Sequence, residues 1–278
     1  MPRKLGILAG GGRLPDLLIQ SCRETGRPVT LIAFAGHADG QTVSDFAAAG
    51  GEIAWRRLGN GSGIMRALAD QGVEDVILAG SIRRPGLLQL WPDFWSLCLL
   101  LRTGALAKGD DGLLRVLIAA LTERNMRVVG VADVAPELLT PAGCLTRRRP
   151  DADDERDIAV AKEAARELGR RDVGQAAVAR YGAVIAEETR SGTDAMMAAI
   201  HAEGAATSGV MVKCFKPQQD PRVDLPTIGP DTVAAARRAG LRGIAVDAGR
   251  SLIVDREDTV AAANQAEVFI VGMENGGG

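Results

Sequence analysis

The stretch from Lys213 to Gly229 holds the densest set of groups able to do chemistry in this sequence. It reads Lys-Cys-Phe-Lys-Pro-Gln-Gln-Asp-Pro-Arg-Val-Asp-Leu-Pro-Thr-Ile-Gly. Lys213, Lys216 and Arg222 place cations beside Asp220 and Asp224, in an irregular segment where core packing does not explain them. Cations suit a pyrophosphate, and a carboxylate suits Mg2+ binding or the activation of water. The plain alternative is a solvated charged loop.

Four further segments offer chemistry with more ordinary explanations beside it. Glu188 precedes Ser191-Gly192-Thr193-Asp194 at a strand-to-helix junction. Thr193 suits a helix N-cap and Asp194 the first turn, while a phosphate would use the same free amides. Ala9-Gly10-Gly11-Gly12-Arg13-Leu14-Pro15 ends the first strand-like run. Glycines there let backbone amides approach an anion, or simply make a tight turn. The pattern is not GxGxxG, and no acidic residue follows at dinucleotide-binding spacing. Gly80-Ser81-Ile82-Arg83-Arg84-Pro85 falls at an equivalent strand end, where Arg83 could hold phosphate or lie solvated. Lys108-Gly109-Asp110-Asp111 precedes a helix, so an aspartate there serves as N-cap or faces a substrate or metal.

The elements that must position these groups alternate. Strand-like runs fall at Lys4–Ala9, Val29–Phe34, Ile53–Arg57, Val76–Ala79 and Val128–Ala132. Helical patterns fall at Leu14–Thr25, Gly63–Gln71 and Leu113–Arg124. Strands separated by helices of this length indicate right-handed crossovers and a parallel sheet. The expected fold class is α/β, with a Rossmann-like N-terminal domain over residues 1–134. Pro136–Pro150, with its Arg147-Arg148-Arg149 triplet, reads as a linker or as a basic loop over an anion. Residues 135–278, linker included, form a distinct C-terminal α/β domain. It has a charged helix at Ala152–Leu168, a hairpin around Tyr181-Gly182 and a strand at Val210–Cys214. Leu87–Leu106 carries Trp91, Phe94, Trp95 and a leucine run, which suits a core helix or a surface for acyl chains.

A formal net charge of -2 and 3% aromatic residues argue against a nucleic-acid partner. The cysteines, Cys22, Cys98, Cys144 and Cys214, form no CxxC pair and have no nearby His, which disfavours zinc and fits a reducing compartment. The start of the chain enters a strand at once, so a cytoplasmic protein is expected.

Taken in order, the segments quoted above, with Asp172-Val-Gly-Gln175, Lys216-Pro217 and Arg222-Val-Asp-Leu-Pro-Thr-Ile-Gly229, resemble the LpxI-type UDP-2,3-diacylglucosamine pyrophosphatases over nearly the whole chain. Ala248-Gly249 and Val254-Asp-Arg-Glu257 are similar to that family's C-terminal region. The resemblance implies a Mg2+-dependent hydrolase of lipid A biosynthesis that releases UMP and 2,3-diacylglucosamine 1-phosphate (lipid X), with the ligand between two domains. It implies a critical aspartate at Asp224 and places Gly192, Thr193 and Asp194 near the product's phosphate. On the reading of the residues themselves, Asp224 and Asp220 are the expected metal donors, and further substrate contacts are expected at Gly10, Gly11, Gly12, Ser81, Arg83, Lys108, Asp110, Lys213, Lys216, Arg222 and Thr227. The chain departs from the family at Ser191, where Glu is common, and at Pro221. UDP-2,3-diacylglucosamine and lipid X are the expected partners, with transient contact at the inner membrane, and a homo-oligomer remains open. The rival readings are a non-catalytic lipid or UDP-sugar carrier and a Rossmann oxidoreductase.

Overall fold

A computed structural model describes residues 2–82, 93, 96–97, 109–202 and 208–274, without the side chains of 109–113. Arg83, Lys108 and nearly all of the Trp91–Leu101 segment therefore lie outside the described residues. The chain packs as two units, Met1–Pro136 and Glu137–Gly278.

In the first unit, β1 (Leu5–Ala9), β2 (Val29–Phe34), β3 (Glu52–Arg56), β4 (Asp75–Ala79) and β5 (Arg127–Val128) pair in parallel in the order β3-β2-β1-β4-β5. Every residue of β1 is buried, as expected of a central parallel strand covered on both faces. Its flank is tight: a Cβ on Gly6 would sit 2.7 Å from the Leu68 side chain. The connecting helices are α1 (Leu14–Glu24), α2 (Gly40–Ala48), α3 (Gly61–Asp70), α4 (Gly109–Thr122) and the short α5 (Val131–Val134). The parallel sheet and crossovers match the sequence expectation.

Two details differ from it. No helix was expected between β2 and β3, yet α2 forms there. Asp39 caps it by accepting from Thr42 N at 3.0 Å, and its buried face is narrow, made by Thr42, Val43 and Phe46. The strand expected at Val128–Ala132 stops at Val128. Asp133 accepts from Gly130 N at 2.9 Å and turns the chain into α5. In addition, α4 begins at Gly109, so Asp110 and Asp111 lie in its first turn and not at a cap.

At the amino end of this sheet, buried Asp75 accepts from Arg27 at 2.6 Å and from Arg127 at 2.9 and 3.0 Å. Burial pushes the Asp75 carboxyl up. The hydrogen bonds and charge of Arg127, with the charges of Arg27 and Arg3, outweigh it and hold the group below its ordinary value.

The second unit is built on a mixed sheet. Its strands are β6 (Gly143–Cys144), β7 (Ala176–Arg180), β8 (Ala183–Glu187), β9 (Val210–Lys213), β11 (Gly243–Asp247) and β13 (Phe269–Met273). The order is β6-β13-β11-β9-β7-β8, with β13, β11 and β9 parallel. β10 (Thr227–Ile228) and β12 (Leu252–Ile253) pair separately. Helices α6 (Ala152–Arg170), α7 (Thr193–Ala202), α8 (Pro230–Arg238) and α9 (Arg256–Ala266) cover it. Met196, Met197, Ile200, Val233 and Ala263 pack with Met211, Ile244 and Ile270 in one cluster. Ala161, Ala165 and Leu168 of α6 pack with Ala177, Val212 and Ala245 in another. The sheet thus has apolar residues on both faces.

The stretch read as a linker, from Glu137 onwards, is part of this unit and not a free connection. Pro136–Leu138 forms a 3-10 turn and β6 adds antiparallel to β13. Arg147 N donates to Asn264 Oδ1 at 2.7 Å, and Arg148 Nη1 donates to Glu267 O at 2.8 Å, at the end of α9. A cation there satisfies a terminal carbonyl and the helix dipole, which accounts for Arg148 without a ligand.

Candidate active site

In the first unit, the chain after β1 and the chain after β4 meet. Gly10 N donates to Ala79 O, Gly11 N to Ser81 O and Ser81 N to Gly11 O, each at 2.8 Å. A Cβ on Gly10 would sit 2.4 Å from Ser81 O, and one on Gly80 would sit 2.4 Å from Gly11 O. These glycines let two backbones touch. The amides of Gly10 and Gly11 are spent on that bridge and do not face an anion as the sequence suggested. Gly12, with φ +86 and open space at its Cβ position, is the residue of the loop that turns towards α1.

In the second unit the chemistry gathers where β9 ends. Lys213 is the last residue of β9 and pairs with Ala176 of β7. Among the described residues its ammonium has no hydrogen bond and no carboxylate within 4.0 Å. Burial pushes its pKa down, and the charges of Glu188, Asp194 and Asp224 pull it back up. The two other cations of the stretch are paired. Lys216 Nζ donates to Asp172 Oδ1 at 2.9 Å. Arg222 Nε donates to both oxygens of Asp220 at 2.9 and 3.2 Å, and Nη2 adds a bond at 2.5 Å. An unpaired, half-buried ammonium is the group with most to gain from an incoming anion.

The loop around Asp224 has its own frame. Val223 N and Asp224 N donate to Asp220 O at 3.0 and 3.1 Å, and Gln219 Nε2 donates to Asp224 Oδ2. Asp224 remains exposed. Arg222 holds the Asp220 carboxyl below its ordinary value against the opposing effect of burial. Asp220 is thus tied into the turn by Arg222, and a metal role for it stands as a proposal. Asp224 fits Mg2+ better, as an exposed carboxylate on a loop whose charge reaches a half-buried cation. No three acidic, His or Cys side chains converge among the described residues. A Mg2+ ion that brings substrate phosphates and takes one or two carboxylates needs no such cage.

Around this centre, Thr193 opens α7 after Gly192, whose φ is +87. The Thr193 hydroxyl donates to Glu188 Oε1 at 2.7 Å, so it is not the helix cap expected. With its proton committed, its oxygen offers a ligand only lone pairs. Donors for an anion come instead from the amides of the first turn of α7. Asp194 is exposed in that turn. Thr227 turns its hydroxyl back to Leu225 O at 3.1 Å. Cys214, next to Lys213, is buried, and burial followed by the charge of Asp247 pushes its thiol up to about 12, which disqualifies it as a nucleophile at neutral pH.

Sequence reasoning gave Glu188 only a secondary place and missed Asp247. Glu188 is buried and also accepts from Gln175 N at 2.6 Å. Asp247 Oδ2 accepts from Phe215 N at 2.9 Å and fixes the entry to the loop, while its Oδ1 and Gln175 Oε1 are buried without a partner among the described residues. A carboxylate at the end of a fully buried strand was the available signal for Asp247.

A Rossmann-type parallel sheet followed by a second unit with a mixed sheet defines a two-unit α/β protein. Within it, residues 4–138 match the LpxI N-terminal domain and residues 141–271 match the LpxI C-terminal domain. The chain is 38% identical over 280 residues to the UDP-2,3-diacylglucosamine pyrophosphatase LpxI of Caulobacter vibrioides, covering 98% of each. The chain belongs to the LpxI family.

Proposed function

We propose that this protein hydrolyses the pyrophosphate bond of UDP-2,3-diacylglucosamine, releasing UMP and lipid X for lipid A biosynthesis. The observation that carries the reading is the Lys213 ammonium at the end of β9, unpaired among the described residues and influenced by Glu188, Asp194 and Asp224. It suits an anionic group such as a phosphoryl oxygen. Lys213 and the amides of the α7 first turn bind a phosphoryl group. Asp224 lies on the loop beyond and holds Mg2+ or orients the attacking water. Mg2+ held there supplies neutralisation of the phosphoryl oxygens. Positioning and charge dominate phosphoryl transfer, so the chain needs no Ser or Cys nucleophile.

In the first unit, Gly12, Ser81, Arg83, Lys108 and Asp110 remain proposed phosphate contacts, read from their loops at the strand ends. A diacylated substrate places the reaction at the cytoplasmic face of the inner membrane through transient contact. No described helix is long and apolar enough to cross a membrane. The test is product analysis with purified protein and detergent-dispersed UDP-2,3-diacylglucosamine. UMP and lipid X in equal amounts are expected. Folded protein that binds the substrate without releasing UMP would make it a carrier.

A further inference from the structure

We infer that Glu188 is a positioning residue that braces the end of β9 at Lys213, sets a buried negative charge beside that end and locks α7 against the sheet. This rests on the proposed role of Lys213 above. Glu188 follows β8, and its backbone N donates to Ala176 O at 2.9 Å, where Ala176 is the residue in register with Lys213. Its carboxylate is buried and closes two contacts, on Gln175 N and on the Thr193 hydroxyl. The Gln175 carbonyl in turn accepts from Cys214 N at 2.8 Å, immediately after Lys213. One carboxylate thus joins the start of β7, the start of α7 and the end of β9. The junction is close: a Cβ on Gly174 would sit 2.6 Å from Glu188 O.

The charge matters as much as the bracing. Burial works against the Lys213 ammonium, and the groups that offset it are Glu188 after β8, Asp194 on α7 and Asp224 on the loop after β9. Asp194 and Asp224 are exposed, so solvent screens them, whereas Glu188 is 6% exposed and acts through protein. Glu188 is therefore the carboxylate whose charge most offsets the burial of Lys213.

The sequence contains five lysines, Lys4, Lys108, Lys162, Lys213 and Lys216, few enough for each to be followed by NMR after 13C-methylation. Lys213 is assigned by the signal lost in Lys213→Arg. In Glu188→Gln its titration midpoint is expected to move to lower pH, and the alkaline limb of kcat/KM for UMP release to move the same way. Thr193→Val, which removes the bracing hydroxyl but no charge, is expected to leave the Lys213 midpoint in place. An unmoved midpoint in Glu188→Gln overturns the proposal. If Glu188→Gln does not fold, Glu188→Asp draws the carboxylate back and is expected to shift the midpoint in the same direction by less. No shift in that variant overturns the proposal equally. A shifted midpoint with unchanged kcat/KM profiles keeps the role of Glu188 and removes Lys213 from the reaction, which separates the two failures.

Discussion

The ends of β1 and β4 in the first unit and the end of β9 in the other unit all read as phosphate sites in the sequence, yet they differ as structure. Both regions follow parallel strands and both carry residues suited to phosphate. At β1 and β4, glycine amides are consumed by the bridge between Gly11 and Ser81. At β9, a half-buried ammonium has no direct partner among the described residues, with three carboxylates near enough to act on its pKa. Glycine at a strand end therefore has two physical uses, close backbone packing and anion binding, and residue type does not tell them apart. What distinguishes a site is a polar group whose needs the fold leaves unmet.

That contrast can be broken by substitution. Short of Asp224→Ala, the largest effect is expected from Lys213→Met, which removes a charge-assisted contact to phosphate and should lower kcat/KM for UMP release about 10- to 100-fold. If the loss stays within about twofold, the second unit has no special claim over the first. Gly10→Ala drives a Cβ against Ser81 O and should destabilise the first unit by about 1–3 kcal/mol, read as a lowered Tm. An unchanged Tm with lost activity would return Gly10 to the ligand.

A third experiment uses pH. Because Asp75 is held below its ordinary value in the folded chain, the stability it contributes is present above the unfolded carboxylate pKa. That stability is lost as pH falls through the lowered folded value. The stability gap between wild type and Asp75→Asn should therefore be widest near neutral pH and close on acidification below the ordinary aspartate range, in denaturant titrations at several pH values. A gap independent of pH would mean that packing, not charge, holds the amino end of the sheet. The smallest effect is expected from Thr193→Val. Losing one hydroxyl contact to Glu188 costs about 1 kcal/mol, or roughly fivefold in kcat/KM.

Much of the fold was legible because its strands are buried runs bounded by helices of crossover length. The parts that were not legible depend on partners. β6 is two residues long and exists only by pairing with β13, so a stretch with prolines and three arginines read as a linker. α2 has Gly, Thr and Ser inside it and a narrow apolar face, so its periodicity was weak. At the site, the residues of the Lys213–Gly229 stretch were visible as a set, but their division of labour was not. Asp220 and Asp224 are alike in sequence, and only the hydrogen bonds of Arg222 assign one to the turn. Glu188 and Lys213 meet through the register of β7 with β9, which no local spacing encodes.

The central claim is the proposal that pyrophosphate hydrolysis depends on Asp224 and on Mg2+. Its most direct test is UMP release from UDP-2,3-diacylglucosamine by wild type and Asp224→Ala, measured side by side in one Mg2+ titration and again with chelator. Wild-type turnover is expected to rise with Mg2+ and vanish with chelator, and the variant to be slower by at least about a hundredfold at every concentration. Turnover of the variant within a few-fold of wild type, or wild-type turnover untouched by chelator, would contradict it.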